Sequence, residues 1–87
     1  MSPGTLYRWE THDRFYQAWL GQDLLGDWTV LQQWGSKYTS LGSQLVAYVK
    51  TEAEGLQRLV AVARQREQHG YLLRELLNAQ TKAPDPR

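Results

Sequence analysis

The sequence predicts an α+β domain: a four-stranded antiparallel sheet with one long α-helix packed on one face, and a short C-terminal helix. Three observations carry this. Four segments before residue 51 are rich in aromatic and β-branched residues and alternate in period two, the pattern of half-buried strands. The connections between them are short or rich in Gly, Asp and Ser, so consecutive strands pair as neighbours. After Thr51 the period becomes helical, and a helix laid across a sheet is the two-layer way to bury one sheet face.

Leu6–Thr11 is the first strand, with Tyr7 and Trp9 on one face and Arg8 and Glu10 on the other. His12-Asp13 makes the turn. Arg14–Leu20 returns as the second strand, Phe15 and Trp19 facing one way and Tyr16, Ala18 and Leu20 the other. Gly21–Asp27 is a turn whose apolar Leu24-Leu25 pair is expected to fold down and cap the core. Trp28–Gly35 is the third strand, with Trp28, Val30, Gln32 and Trp34 on one face. A buried Trp removes roughly 150–250 Å² from water, so rings at both ends of this strand organise the domain. Ser36–Gly42 is a polar loop. Ser43–Lys50 is the fourth strand, with Leu45, Ala47 and Val49 opposed to Val46 and Tyr48.

Thr51 and Glu54 have the spacing of a capping box at the start of the helix. Leu56, Leu59, Val60 and Ala63 fall at i, i+3, i+4 and i+7 as one apolar stripe, and Gly70 supplies the stop. Leu72, Leu73, Leu76 and Leu77 recur at i, i+1, i+4 and i+5, which favours a short helix over a strand. Residues 1–5 are expected to be a flexible arm, 6–77 the single domain, and the Pro-containing segment 78–87 a disordered tail.

A chain of 87 residues with a net charge of +1 and no cysteine has neither a disulfide framework nor a thiolate metal site, and its charge does not direct it to nucleic acid. The N-terminal segment lacks the basic and apolar regions of a signal peptide, and no apolar run approaches the ~20 residues of a membrane span, so a cytoplasmic protein is expected.

Tyr7-Arg8-Trp9, the segment Gln22-Asp23-Leu24-Leu25-Gly26-Asp27-Trp28, Trp34-Gly35, Gly42 and Gly70-Tyr71 together resemble a WGR domain, a family named for a Trp-Gly-Arg motif at a strand end. The resemblance spans roughly Leu6 to Tyr71. It implies a small antiparallel sheet with a helix packed on it. WGR domains touch DNA at breaks in poly(ADP-ribose) polymerases, and they also occur in bacterial proteins, including short stand-alone chains. The third motif position here is Ser36 rather than Arg, and Tyr38 stands where the family pattern has glycine. A hydroxyl cannot replace the bidentate guanidinium fork that grips a phosphate.

Two function classes follow. The first is a non-catalytic nucleic-acid-binding module for DNA ends. Trp34 would stack, Gly35 would allow close approach, and Lys37 and Arg14 would hold phosphate, with Tyr38 and Arg8 completing the site. Base stacking on an aromatic is worth about 1–3 kcal/mol. The plainer reading makes Trp34-Gly35 a core ring and a turn, and Arg8, Arg14 and Lys37 part of a mixed surface diluted by Glu10, Asp13 and Asp27 nearby in sequence. The second class is a protein-interaction or regulatory adaptor, or a homodimerising module, using Leu72, Leu73, Leu76 and Leu77. Arg58, Arg64 and Arg66, matched by Glu52, Glu54 and Glu67, are expected on a solvated helix face. His12-Asp13 and His69 are too few for a metal site, no serine has an activating partner in sequence, and no phosphate loop is present. The chain is therefore expected to be no enzyme, with no cofactor, no metal and no membrane partner.

Overall fold

A computed structural model of the chain describes residues 4–78. The element order is β1 (Gly4–Glu10), β2 (Arg14–Gln22), β3 (Trp28–Ser36), β4 (Gly42–Val49), α1 (Glu52–Gln68) and β5 (Leu72–Asn78). The strands form one five-stranded sheet in the order β4-β3-β2-β1-β5, antiparallel throughout. The helix carries the chain from one edge of this sheet to the other.

The α+β class holds, but the sheet has a fifth strand where the leucine spacing predicted a short helix. The cause is a bulge. Arg8 lies opposite Glu75 and Trp9 opposite Leu73, which leaves Arg74 as an extra residue. A bulge interrupts period-two alternation. The leucine pairs on either side of it then imitate helical spacing. Pairing with β1 decides the matter, because it satisfies backbone groups along a strand that otherwise has one neighbour.

The arm is shorter than expected: Gly4 and Thr5 are buried parts of β1, opposite Gly21 and Leu20. Residues 1–3 of the expected arm and 79–87 of the expected tail lie outside the described residues; Asn78 belongs to β5. The Leu24-Leu25 pair does not cap the core. Its residues are 95% and 87% exposed. The turn closes through its own polar groups instead: the Asp23 carboxylate accepts from the backbone N–H groups of Leu25 and Asp27, both at 2.9 Å, and Gly26 takes a left-handed φ of 88°. Nothing in that bonding draws the leucines inward.

The helix begins as its capping pattern predicts. The Thr51 hydroxyl accepts from the Glu54 N–H at 3.1 Å, and the Glu54 carboxylate accepts from the Lys50 N–H at 3.0 Å. It ends at Gly70, whose φ of 87° only glycine adopts cheaply. The core between sheet and helix holds Trp9, Ala18, Leu20, Val30, Val49 and Leu59. Trp9 is fully buried, with Tyr7 stacked at 5.4 Å and Tyr16 edge-on at 6.1 Å. The predicted helical stripe is rotated relative to the core. Leu59 is buried and Ala63 half-buried, but Leu56 and Val60 are exposed, and Gly55 and Val62 take their places against the sheet. Gly55 is pressed onto the Leu20 side chain, which turns the helix toward its small residue.

Candidate binding face

Among the described residues, the helix covers one face of the sheet and nothing covers the other. Cross-strand register builds the open face in rows. One row is apolar and crosses all five strands: Leu77, Leu6, Trp19, Leu31, Val46. The Trp19 ring lies over Gly4 and Gly21, where a β-carbon would collide with it. The next row is polar: Glu75, Arg8, Gln17, Gln33, Gln44. Its side chains hydrogen-bond in series. Arg8 Nη1 donates to Gln17 Oε1 at 2.6 Å, Gln17 Nε2 to Gln33 Oε1 at 3.3 Å, and Gln33 Nε2 to Gln44 Oε1 at 3.4 Å.

Glu10 organises the end of this ladder. Its carboxylate accepts from Arg8 Nε at 2.8 Å, meets Lys37 Nζ at 3.0 Å, and lies 4.0 Å from Arg74 Nε. The hydrogen bond from Arg8 first, then that from Lys37, holds its pKa down at about 2, against an ordinary 4.5. Arg8 also sits over the Phe15 ring, 4.9 Å from its centroid. Beside this cluster is an open groove of about 540 Å³. Arg8, Phe15, Gln17, Gln33 and Gln44 line it together with Trp34, Ser36 and the hydroxyl-rich loop Thr39–Ser43.

All six predicted site residues lie at this end of the sheet, but not on one surface. Trp34 is on the helix side, stacked on Tyr16 at 5.4 Å and 10°. Arg66 caps the same stack, 4.4 Å from the Tyr16 ring and 5.5 Å from that of Tyr71. Arg66 therefore leaves the solvated helix face assigned to it. Burial raises the pKa of Tyr16, whose hydroxyl donates to Gln32 at 2.6 Å. Gly35 is buried opposite Phe15 and Gly42, and a β-carbon there would come within 2.5 Å of the Leu41 carbonyl oxygen. The close approach that Gly35 permits is thus that of the protein's own loop. The Lys37 N–H donates to the Asp13 carbonyl at 2.9 Å, and the Tyr38 hydroxyl to the His12 carbonyl at 2.9 Å, which ties this loop to the β1–β2 turn. Arg14 is exposed and makes no ion pair among the described residues.

Arg8 and Lys37 are brought together at Glu10, and Arg14, Trp34 and Gly35 line a neighbouring groove at the strand end; the Trp34 ring itself stacks on the helix side. Sequence reasoning took Glu10 only as an acid diluting the patch, and missed Gln17, Gln33, Gln44 and Arg74. Alternation places the first three strands' polar residues outward, but only the register aligns them into a ladder. Among the described residues, no three His, Cys, Asp or Glu side chains are placed to hold a metal ion, and no helix is long and apolar enough to cross a membrane. Compared with known proteins, the chain matches no protein-family model, no curated protein and no solved structure.

Proposed function

We propose that the chain is a non-catalytic, WGR-like nucleic-acid-binding module that receives a DNA end along the polar half of its open face. The observation that carries this reading is the convergence of Arg8, Lys37 and Arg74 on the single carboxylate of Glu10 beside a polar groove. Three cations around one anion leave positive charge at the groove's edge on a chain whose total is only +1. Phosphate contacts position nucleic acid, while amides such as those of Gln17, Gln33 and Gln44 pair with base edges. In this arrangement Arg8 and Lys37 meet phosphate, while Arg14, at an alternate position with Tyr16 and so on its face of β2, stands with Trp34 beside a neighbouring groove at the strand end rather than on the open face. The motif resemblance over Leu6–Tyr71 supports the same reading.

Titration of labelled duplex DNA bearing a 5′-phosphate, at low and moderate salt, tests it. Binding is expected at low salt and weakens as salt rises, with a slope of about −0.9 in log K per log salt for each phosphate neutralised. Arg8→Gln and Lys37→Gln each lower affinity several-fold and flatten that slope, and Ser36→Arg raises affinity. No binding of duplex at low salt refutes the proposal.

A second reading, a protein-interaction adaptor, is favoured by the apolar row on the same face. Val46 and Leu77 stand exposed at its two ends, and Tyr48 lies beside it on β4. A row of this kind needs a cover that nucleic acid does not supply.

A further inference from the structure

We infer that two copies of this chain pair antiparallel through β5, joining their sheets into one ten-stranded sheet. The inference is independent of the DNA-end reading and gives the homodimerising alternative a specific edge and register.

β5 is an outer strand: β1 occupies one side of it, and its other side has no strand partner among the described residues. Its core sequence is Leu72-Leu73-Arg74-Glu75-Leu76-Leu77, two leucine pairs around one cation and one anion. Placed antiparallel against itself with Arg74 opposite Glu75 of the second copy, the segment is self-complementary. Leu73 then meets Leu76, Leu72 meets Leu77, and the Arg–Glu pairing occurs twice about the two-fold axis.

The faces agree as well. Leu73 lies opposite Trp9 and Leu76 opposite Tyr7, so both are on the helix side. Leu72 lies opposite Glu10 and Leu77 opposite Leu6, so both are on the open side. Glu75 lies opposite Arg8, and Arg74 reaches Glu10, so both charges are on the open side too. In a regular strand this register would set one face against the other, because odd and even residues point oppositely. The bulge at Arg74 removes that conflict. It allows a two-fold axis perpendicular to the sheet, with both helices on the same side. The helices have room there, because α1 lies chiefly over β2 and meets the β5 edge only lightly. All four leucines are exposed in the single chain, between 43% and 60%. An edge strand with apolar residues on both faces is a template for pairing, and an isologous contact of this kind closes as a dimer. The opposite edge, β4, carries no charged residue and offers no such self-recognition.

Sedimentation or light scattering of the full chain from micromolar to millimolar concentration tests the inference. The expected mass approaches twice 10.1 kDa as concentration rises. Arg74→Glu alone and Glu75→Arg alone are each monomeric, since each sets like charges opposite one another across the axis. Mixed one to one, the two variants form a heterodimer. That rescue excludes misfolding as the cause of dissociation. A wild-type chain that stays monomeric at millimolar concentration overturns the inference. So does a dimer that survives both single variants, or one that Val46→Lys on the β4 edge dissolves while Arg74→Glu does not.

Discussion

Glu10 is the residue on which the candidate face turns. It neutralises part of the charge of Arg8 and Lys37 and fixes where their side chains point. Its carboxyl is held down at about 2 by those two partners, so it favours the folded state while ionised. That contribution is fully present above the unfolded value of 4.5 and disappears as pH falls through about 2. Glu10→Gln should therefore lose less stability over that interval than wild type does, as read from urea unfolding at successive pH values. Equal losses would place the acid sensitivity elsewhere. The same substitution frees Arg8, Lys37 and Arg74 from their shared carboxylate, so the duplex titration should show tighter, more salt-sensitive binding. Arg8 and Lys37 were legible in the sequence as a basic patch. Glu10 was legible as a nearby acid that dilutes this patch, but its direct pairing was not, because a salt bridge from Lys37 to Glu10 depends on how a loop folds back over two strands.

At the scale of elements, helix and sheet are fitted to each other at Gly55. Glycine in a helix interior is ordinarily a weakness, and Ala improves such a position by about 0.5–1 kcal/mol. Here the added methyl would be driven into Leu20, a fully buried core residue. Overpacking costs about 1–3 kcal/mol. Gly55→Ala is therefore expected to destabilise, lowering the urea midpoint, in the direction opposite to helix propensity. A raised midpoint would mean that α1 slides freely on the sheet. The helix itself was plain in the sequence, because its cap and stop are local chemistry at Thr51, Glu54 and Gly70. Its contact face was read less well. Leu56 and Val60 are as apolar as Leu59, and only the glycine decides which side of the helix comes closest to the sheet. β5 was misread for a related reason: a bulge is a property of a strand pair, and no single segment announces it.

For the whole molecule, alternation in the first four strands was enough to give the layer order, since each strand's faces follow from its own residues. What could not be read was the join between the last strand and the first. β1 lies inside the sheet only because β5 covers its outer side, and Tyr71, just before β5, completes the stack of Tyr16 and Arg66. A chain ending at Gly70 leaves the β1 backbone and part of the Trp9 environment open. It is expected to lose the cooperative thermal transition of the 87-residue chain, followed by near-ultraviolet circular dichroism. A shortened chain that melts as sharply as the intact one would make β5 an ornament of the fold.

That join also has a consequence for biosynthesis. Of the five strands a ribosome delivers β1 first and β5 last, so β1 waits for β5 before its second side is closed. Through most of translation the nascent protein exposes the flank of β1 beside Tyr7 and Trp9, and the sheet is completed only when residue 78 has left the exit tunnel. Slow decoding over the helix would lengthen that exposure, and a chaperone that recognises extended aromatic segments would find its target on β1.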